Sequence, residues 1–320
     1  MAKDSLPAIL LTQRLFHVVP GPPHTDRLKF HKLWEHPSKA NLFREVSDYC
    51  KGAIVRGEFT ANDMDALPNL DIIAVCGVGY DGVDVRAALE RGIQVTNTPD
   101  VLTEDVADLA LGLLLAAGRK IVQADKYVRQ GRWVSDGEMA YNPRVQRKRL
   151  GIIGLGRIGM AIARRCRSMN MEIGYHNRNT REDVNFRYFP TPVDLATWAD
   201  YLLLATPGGD GTRHIINEVV LSALGPTGIL VNVGRGTNVD QSALADALTK
   251  RTIAGAALDV LEHEPEVPPE LMKIEDNLIL QPHQASATYE TRLAMVDLAF
   301  ENIYASLEGR PLLTPVPECQ

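Results

Sequence analysis

Three polar residues, Arg235, Glu264 and His283, each follow a predicted buried strand and together could perform acid–base chemistry. Because the carboxyl ends of parallel strands meet at one edge of a sheet, these side chains can meet although they are distant in sequence. An arginine can hold a carboxylate through two hydrogen bonds. A carboxylate beside a histidine raises the pKa of the ring, which can then carry a proton near neutrality and deliver it. The three residues therefore fit the reduction of a 2-oxo acid. Arginine would bind the carboxylate and polarise the ketone, histidine would protonate the forming alkoxide, and glutamate would orient the histidine.

A glycine motif supplies the second half of this chemistry. Gly154, Gly156 and Gly159 form a G-x-G-x-x-G sequence that follows an apolar run and opens a helical one. In this context the first glycine permits a tight turn and the second lets the backbone approach a pyrophosphate. The third allows close packing of helix on strand, and the helix N-terminus offers its N–H groups to the phosphates. Each catalytic candidate alone is of a type common on surfaces. Their occurrence together with a nucleotide motif indicates catalysis.

The residues after the next predicted strand, Met171–Tyr175, bear on the choice of dinucleotide. The acidic residue that would accept the ribose hydroxyls of NAD is missing, and Asn177 and Arg178 stand there instead. A neutral amide and a guanidinium suit a 2′-phosphate. The sequence therefore favours NADP(H), with NAD(H) possible. The alternative is that Arg178 is a solvated surface charge.

The elements that must position these groups alternate between strand and helix along the whole chain. This alternation predicts an α/β protein with two doubly wound parallel-sheet domains, Rossmann-like or flavodoxin-like, the nucleotide domain being inserted into the substrate domain. The predicted boundaries are 1–100 and 287–320 for the substrate-binding domain and 101–286 for the NAD(P)-binding domain. A dense apolar helix, Glu104–Gly118, is expected to be buried between domains or at a subunit contact. The helical pattern continues over Lys120–Arg129, and a further helix is predicted over Gln241–Leu248. The other predicted strands are Pro7–Gln13, Ala53–Gly57, Asp71–Cys76, Gln94–Asn97, Arg149–Ile153, Tyr201–Ala205, Gly228–Val233, Ala254–Val260 and Asn277–Leu280.

Composition limits the classes of partner. The chain has 320 residues, 45% of them apolar, and a formal net charge of −6, which argues against nucleic acid or anionic membrane as a partner. No apolar run is long enough to span a bilayer, and residues 1–7 lack a secretion-signal pattern. The four cysteines show no metal-ligand spacing. We therefore expect reduced, mostly buried thiols, no metal, and a cytoplasmic location.

The chain resembles the D-isomer-specific 2-hydroxyacid dehydrogenases, within them the glyoxylate/hydroxypyruvate reductase branch. The segments that carry the resemblance span nearly the whole chain and include the Arg–Glu–His order of the first paragraph. They are Gly77–Asp81, Thr98–Thr103, Gly154–Gly159, Gly234–Gly236, Asp259–Pro265 and Pro282–Thr288.

The resemblance implies roles for individual residues. It implies that Arg235, Glu264 and His283 form the catalytic triad and that the backbone amides of Val78 and Gly79 bind the substrate carboxylate together with Arg235. It also implies a homodimer formed largely through residues 101–145. Asp259 would hold the nicotinamide carboxamide, while Arg157 and Ile158 would contact the pyrophosphate through their amides. The full set expected to bind cofactor is Thr103, Gly154, Gly156, Arg157, Ile158, Gly159, Asn177, Arg178, Asn179, Pro207, Thr212, Val233, Asp259, His283 and Ala285.

Two departures from the family pattern leave the substrate open. Gln284 and Ala285 replace an isoleucine and a glycine that are common after the histidine, and Gly208–Gly211 replaces a proline-rich segment. The sequence predicts an NADPH-preferring reductase of glyoxylate and hydroxypyruvate that yields D-2-hydroxy acids. The alternatives are a reductase of 2-ketogluconate or aromatic pyruvates, or a nucleotide-sensing protein of the corepressor type, because the fold does not fix the function.

Overall fold

The computed structural model describes residues 6–14 and 25–320. Most of the amino-terminal segment considered for a secretion signal lies outside these residues. The chain divides into two compact units, and the second is inserted into the first along the sequence. Residues 1–102 and 287–320 form unit 1, and residues 103–286 form unit 2. Elements are labelled below in chain order.

Unit 1 is built on a parallel sheet whose five described strands have the order β2-β1-β3-β4-β5, the arrangement of a flavodoxin-like fold. Its core joins apolar side chains of the central strands to those of the helices, such as Leu10, Phe43 and Ile73. The elements are β1 (Ala8–Leu11), β2 (Lys29–Lys32), α1 (Lys39–Val46), β3 (Cys50–Val55), α2 (Ala61–Asp65), β4 (Ile72–Val75), α3 (Val85–Glu90), β5 (Gln94–Thr96) and, after unit 2, α12 (Tyr289–Leu307).

Unit 2 is a doubly wound α/β unit with a parallel sheet of order β12-β11-β10-β9-β6-β7-β8. The strand order reverses between β6 and β9, and ligands of such sheets bind outside the carboxyl ends of the strands at that point. The elements are α4 (Thr103–Arg119), α5 (Ile121–Arg129), α6 (Arg132–Ser135), β6 (Arg149–Ile153), α7 (Arg157–Ser168), β7 (Glu172–His176), β8 (Arg187–Tyr188), α8 (Pro192–Trp198), β9 (Tyr201–Leu204), α9 (Glu218–Leu224), β10 (Ile229–Asn232), α10 (Gln241–Thr249), β11 (Gly255–Leu258), α11 (Pro269–Met272) and β12 (Leu278–Leu280).

Helix α4 packs within unit 2, against α7 and strands β10 to β12. Val106, Leu113 and Leu114 are buried on its inner side, whereas Asp108 and Gly112 are exposed. The segment that follows was expected to continue helically from Lys120, but Lys120 has a φ of 50° and is the N-cap of a separate helix, α5. Left-handed backbone at a single residue redirects the chain, so one predicted helical stretch becomes two.

All four cysteines are free, and three of them are buried. Burial raises the pKa of Cys50 to about 11 and that of Cys76 to about 12. Burial likewise raises the pKa of Cys166 to about 12. These three thiols therefore stay protonated at neutral pH and pack as small apolar side chains. No helix among the described residues is long and apolar enough to cross a membrane.

Candidate active site

The three glycines of the loop between β6 and α7 have different structural roles. Gly154 has a φ of 94°, and a Cβ there would lie 2.8 Å from the backbone of Ala205. A Cβ on Gly159 would lie 2.3 Å from the carbonyl oxygen of Gly154, so helix and strand touch at this point. A Cβ on Gly156, in contrast, would meet nothing within 4 Å. Gly156 is the N-cap of α7 and makes no side-chain cap. The middle glycine thus leaves open space at a helix N-terminus, which fits the approach of a pyrophosphate.

The loop after β7 is fastened to this glycine loop by two side chains. Asn177 Oδ1 accepts the Leu155 N–H at 2.7 Å, and Arg181 donates to the Leu155 carbonyl at 2.7 Å. The Asn177 oxygen therefore holds the glycine loop, a contact that the sequence reasoning did not anticipate. Arg181 was not singled out from the sequence, and its guanidinium also pairs with Asp183.

Arg178 and Asn179 are exposed at the tip of the same loop. Arg178 makes no ion pair with any part of the chain that the structure describes, so its guanidinium is available for an anion. Its position immediately after Asn177 puts it beside the residue that contacts the glycine loop. This placement fits the predicted contact with a 2′-phosphate.

Two buried asparagines hold Arg235 just after β10. Asn232 Nδ2 donates to the Arg235 carbonyl at 2.8 Å, and Asn238 Oδ1 accepts the Arg235 N–H at 2.9 Å. Both asparagines are 0% exposed. Asn238 Nδ2 also donates to the carbonyls of Pro207 and Thr212, at 3.1 and 3.3 Å. The backbone of Arg235 is therefore fixed to the loop after β9.

The glycines on both sides of Arg235 allow close packing of the backbone. A Cβ on Gly234 would lie 2.6 Å from the Thr206 carbonyl oxygen, and one on Gly236 would lie 1.9 Å from the Leu261 carbonyl carbon. The loop after β10 is thus pressed between the loops after β9 and β11. These glycines therefore bring three strand-end loops into backbone contact.

Glu264 and His283 form a direct pair. The Glu264 Oε2 lies 2.7 Å from His283 Nδ1, and Oε1 accepts the Leu261 N–H at 2.9 Å. With its Nδ1–H donated to the carboxylate, the ring leaves Nε2 for another partner. Side-chain exposures of 34% for His283 and 36% for Glu264 leave the pair reachable from solvent.

Charge explains why Glu264 stays ionised. Burial is the largest single effect and acts to raise its pKa, but it is opposed first by the hydrogen bond and charge of His283. The Leu261 N–H and the charge of Arg235 add to this effect, and the pKa of Glu264 falls below its usual value. Electrostatic coupling of Arg235 to Glu264 also shows that all three predicted catalytic residues lie in one neighbourhood of unit 2.

Asp259 shapes the turn that carries His283. Asp259 is 1% exposed, and its two carboxylate oxygens accept the N–H groups of Gln284, at 2.7 Å, and Ala285, at 3.0 Å. The His283 N–H donates to the Asp259 carbonyl at 2.8 Å. His283 itself has a φ of 55°, an uncommon conformation for a residue with a Cβ. Burial raises the pKa of Asp259, while the two N–H groups act to lower it. The predicted contact of Asp259 with a carboxamide stays a prediction.

The remaining predicted site residues fall into two groups. In unit 2, Thr103 begins α4, and Thr212 Oγ1 donates to the Pro207 carbonyl at 2.8 Å. Val233, directly after β10, and Ala285, in the turn after His283, are both buried. Val78 and Gly79 lie in unit 1, after β4. There Asn97 Nδ2 donates to the Val78 carbonyl at 2.8 Å, which orients this loop.

Several supporting residues were missed by sequence reasoning. They are Asn97, Arg181, Asn232 and Asn238, which fix the backbone of predicted site residues or of the glycine loop. Each stands within five residues of a motif that was recognised. Asparagine is typical of loops that bond to their own backbone, but neither the partner atoms nor the burial can be derived from this tendency.

The residues present fit a bound dinucleotide. The space beside Gly156, the uncapped start of the twelve-residue helix α7 and the exposed Arg178 are the features that phosphates require. The strand-order reversal between β6 and β9 lies next to this loop. Arg157 and Ile158 are the first two residues of α7, so their amides are at the helix start.

Comparisons with known proteins agree with this geometry. The family model described as "D-isomer specific 2-hydroxyacid dehydrogenase, NAD binding domain" matches residues 111–285. A glyoxylate/hydroxypyruvate reductase A of Arabidopsis thaliana is 45% identical over 91% of this chain and 93% of its own length. A hydroxyphenylpyruvate reductase of Plectranthus scutellarioides is 44% identical over the same shares of both chains, 91% and 93%.

A solved structure is similar over almost the full length. It is an NADPH-dependent glyoxylate/hydroxypyruvate reductase of Sinorhizobium meliloti in complex with NADP and malonate, with a TM-score of 0.89 and 44% identity over 98% of each chain. The chain that carries this glycine loop and this Arg–Glu–His neighbourhood is thus similar to several proteins named as reductases. The chain belongs to the D-isomer-specific 2-hydroxyacid dehydrogenase family.

Proposed function

We propose that this protein is an NADPH-preferring reductase of small 2-oxo acids, glyoxylate and hydroxypyruvate, and that it forms D-2-hydroxy acids. The observation that carries the proposal is the 2.7 Å contact between Glu264 and His283 in the electrostatic neighbourhood of Arg235. A guanidinium, a carboxylate and an imidazole at adjacent strand ends are the groups that binding and protonating a 2-oxo acid requires. The similarity to reductases of glyoxylate and hydroxypyruvate supports the choice of substrate.

The catalytic work of the chain divides among these three residues. The Arg235 guanidinium binds the substrate carboxylate and polarises the carbonyl oxygen. His283 Nε2–H donates a proton to that oxygen as the carbonyl carbon is reduced. Glu264 accepts the Nδ1–H, fixes the ring orientation and stabilises the charged form of the imidazole. The reduced nicotinamide supplies the hydride when it is bound. Val78 and Gly79 would add backbone N–H donors for the substrate carboxylate.

Cofactor preference in this proposal depends on Arg178. Asn177 is a neutral residue at the position where an NAD enzyme has a carboxylate, so nothing there repels a 2′-phosphate. The exposed guanidinium of Arg178 supplies an attractive charge. The bound NADP in the solved relative supports this direction.

A homodimer and a cytoplasmic location are part of the proposal. Large apolar side chains are exposed between residues 121 and 141, including Val134 at 94%, Tyr141 at 92% and Trp133 at 64%. Exposed apolar groups in such number are typical of a protein interface, so residues 101–145 are the proposed dimer contact. The proposed cytoplasmic location is supported by the four free cysteines, which fit a reducing compartment. Sedimentation of the wild type and of a Val134→Asp variant tests the dimer, which the charge should weaken.

Initial rates test the function. Glyoxylate, hydroxypyruvate, 2-ketogluconate and phenylpyruvate are compared with NADPH and with NADH, and we expect the highest kcat/KM for the first two substrates with NADPH. His283→Ala should remove turnover while NADPH binding persists. The relative that reduces hydroxyphenylpyruvate favours one alternative, an aromatic 2-oxo acid, and a higher kcat/KM for phenylpyruvate would establish it. Binding of NADPH without turnover of any of the four would point to a nucleotide-sensing protein.

A further inference from the structure

A second cluster of charged side chains lies beside the proposed catalytic residues and takes no part in the proposed chemistry. Its centre is Glu262, whose side chain is only 10% exposed. Arg213 Nη2 lies 2.6 Å from Glu262 Oε1, and His214 Nε2 lies 3.3 Å from both carboxylate oxygens. Burial of a carboxylate costs desolvation free energy, which the contacts with Arg213 and His214 offset here.

The three members of this cluster come from two different strand-end loops. Arg213 and His214 follow Thr212 in the loop after β9, the loop predicted to line the cofactor. Glu262 belongs to the loop after β11, two residues before Glu264. The ion pair therefore joins the loop predicted to line the cofactor to the loop that carries the partner of His283.

Other contacts connect the same two loops to the loop after β10. The His214 N–H donates to the Thr237 carbonyl at 2.8 Å, which ties the same loop to the segment after Arg235. Gly236 packs against the peptide between Leu261 and Glu262. His214 has a φ of 49°, so its backbone is held in a conformation uncommon for histidine. The loops after β9, β10 and β11 are thus connected to one another, and Glu262 supplies the charged connection.

We propose that Glu262, held by Arg213 and His214, is a positioning residue that couples the cofactor-lining loop to the Glu264–His283 pair. The inference rests on the proposed function for its catalytic readout. Removal of the Glu262 charge breaks its link to the loop after β9, so the segment 261–264 can shift. Glu264 shifts with it, because its Oε1 accepts the Leu261 N–H of that segment. A small displacement of His283, the proton donor, then slows proton transfer, while the binding of the substrate carboxylate by Arg235 is unchanged.

The test is Glu262→Gln, which keeps the shape and removes the charge. Glu266→Gln is the matched control, because Glu266 is an exposed glutamate of the same loop with no ion pair in the described part of the chain. For Glu262→Gln we expect kcat to fall about tenfold with KM for the 2-oxo acid nearly unchanged. We also expect the basic limb of the kcat–pH profile to move to lower pH and the NADPH dissociation constant to rise. The control should match the wild type in all three measurements.

Within residues 6–14 and 25–320, the charged and titratable groups that contact the Glu262 carboxylate are Arg213 and His214, and Arg213→Gln is the second variant. The side chain of Arg213 is 54% exposed, so its replacement should leave the fold intact and reproduce the direction of each effect. Wild-type kcat, pH profile and NADPH affinity in folded Glu262→Gln, or in Arg213→Gln if the first variant does not fold, would overturn the inference. Cofactor affinity is measured without substrate, by NADPH fluorescence. If the wild type reduces none of the 2-oxo acids, the proposed function fails, and the binding measurement still decides the role of Glu262.

Discussion

Replacing Gly156 by alanine should separate cofactor binding from stability. A Cβ at Gly156 meets nothing within 4 Å, and its backbone, with φ −86° and ψ −155°, is accessible to alanine. The free energy of unfolding should therefore stay equal or rise by roughly 0.4–1 kcal/mol, because alanine restricts the unfolded chain. The added methyl group points into the space that a pyrophosphate must enter. We expect the NADPH dissociation constant to rise at least tenfold, about 1.4 kcal/mol or more.

The comparison variant is Gly159→Ala, three residues along the same turn. Its Cβ would lie 2.3 Å from the Gly154 carbonyl oxygen, a backbone atom that cannot turn aside. Overpacking of this kind costs about 1–3 kcal/mol, which lowers Tm by roughly 2–4 °C for each kcal/mol in a domain of this size. Thermal unfolding and NADPH fluorescence titration are run on both variants. If Gly156→Ala binds NADPH as the wild type does, the pyrophosphate does not lie at this helix start and the cofactor placement is wrong.

Four further predictions concern the loop after β7, the catalytic pair and the support of Arg235. Arg178→Ala should raise the dissociation constant of NADPH by at least tenfold and leave that of NADH within twofold, about 1.4 and 0.4 kcal/mol; equal losses in the two titrations would remove Arg178 from the 2′-phosphate site. Glu264→Gln should move the basic limb of the kcat–pH profile to lower pH, because the acid loses the charge that favours its protonated form; a profile that does not move contradicts the role of Glu264. Because the pKa of Glu264 is lowered in the folded protein, the stability contributed by its pairing is present above its unfolded pKa and lost as pH falls through the folded value, which urea unfolding at graded pH should show. Asn238→Ala should destabilise the protein by about 1–3 kcal/mol in urea unfolding, since it leaves the Arg235 N–H without its acceptor and removes one donor from each of two carbonyls; unchanged stability would mean that water replaces these bonds.

Strand β6 and helix α10 illustrate how far the sequence determined the fold. The predicted strand Arg149–Ile153 is observed with the same bounds, and the helix predicted over Gln241–Leu248 extends by one residue to Thr249. Both have clear patterns, an apolar run before glycines and a helical spacing after the cap Asp240. Strands β2 and β8 were not predicted, since their sequences KFHK and RY carry almost no apolar pattern. Both lie at the outer edges of the sheets, where tertiary context decides strand formation.

Residue types and strand ends sufficed to predict the pairing of Glu264 with His283, because acidic and imidazole groups after neighbouring parallel strands must converge. The supports of this pair could not be predicted in the same way. The left-handed backbone of His283 and the bonds from Asp259 to two successive amides depend on a turn whose conformation no local propensity specifies. The burial of Asn232 and Asn238 likewise depends on three loops that meet only in the folded sheet.

The arrangement around Arg235 explains why glycine stands on both sides of a residue that must be held firmly. A side chain at either glycine would push the loop after β10 away from Thr206 or from Leu261. With glycine at both positions the backbone lies close enough for Asn232 and Asn238 to bond to it. Glycine makes an unfolded chain flexible, but contacts on both sides restrict these two glycines in the folded protein. Their role in the fold is therefore to let the neighbouring backbones lie close together. The guanidinium is held as well, because Arg235 Nη1 donates to the Gly234 carbonyl at 2.9 Å. A side chain oriented before the substrate carboxylate arrives loses less entropy on binding. The same reasoning applies to His283, whose turn is fixed by the Asp259 carboxylate and whose ring is fixed by Glu264.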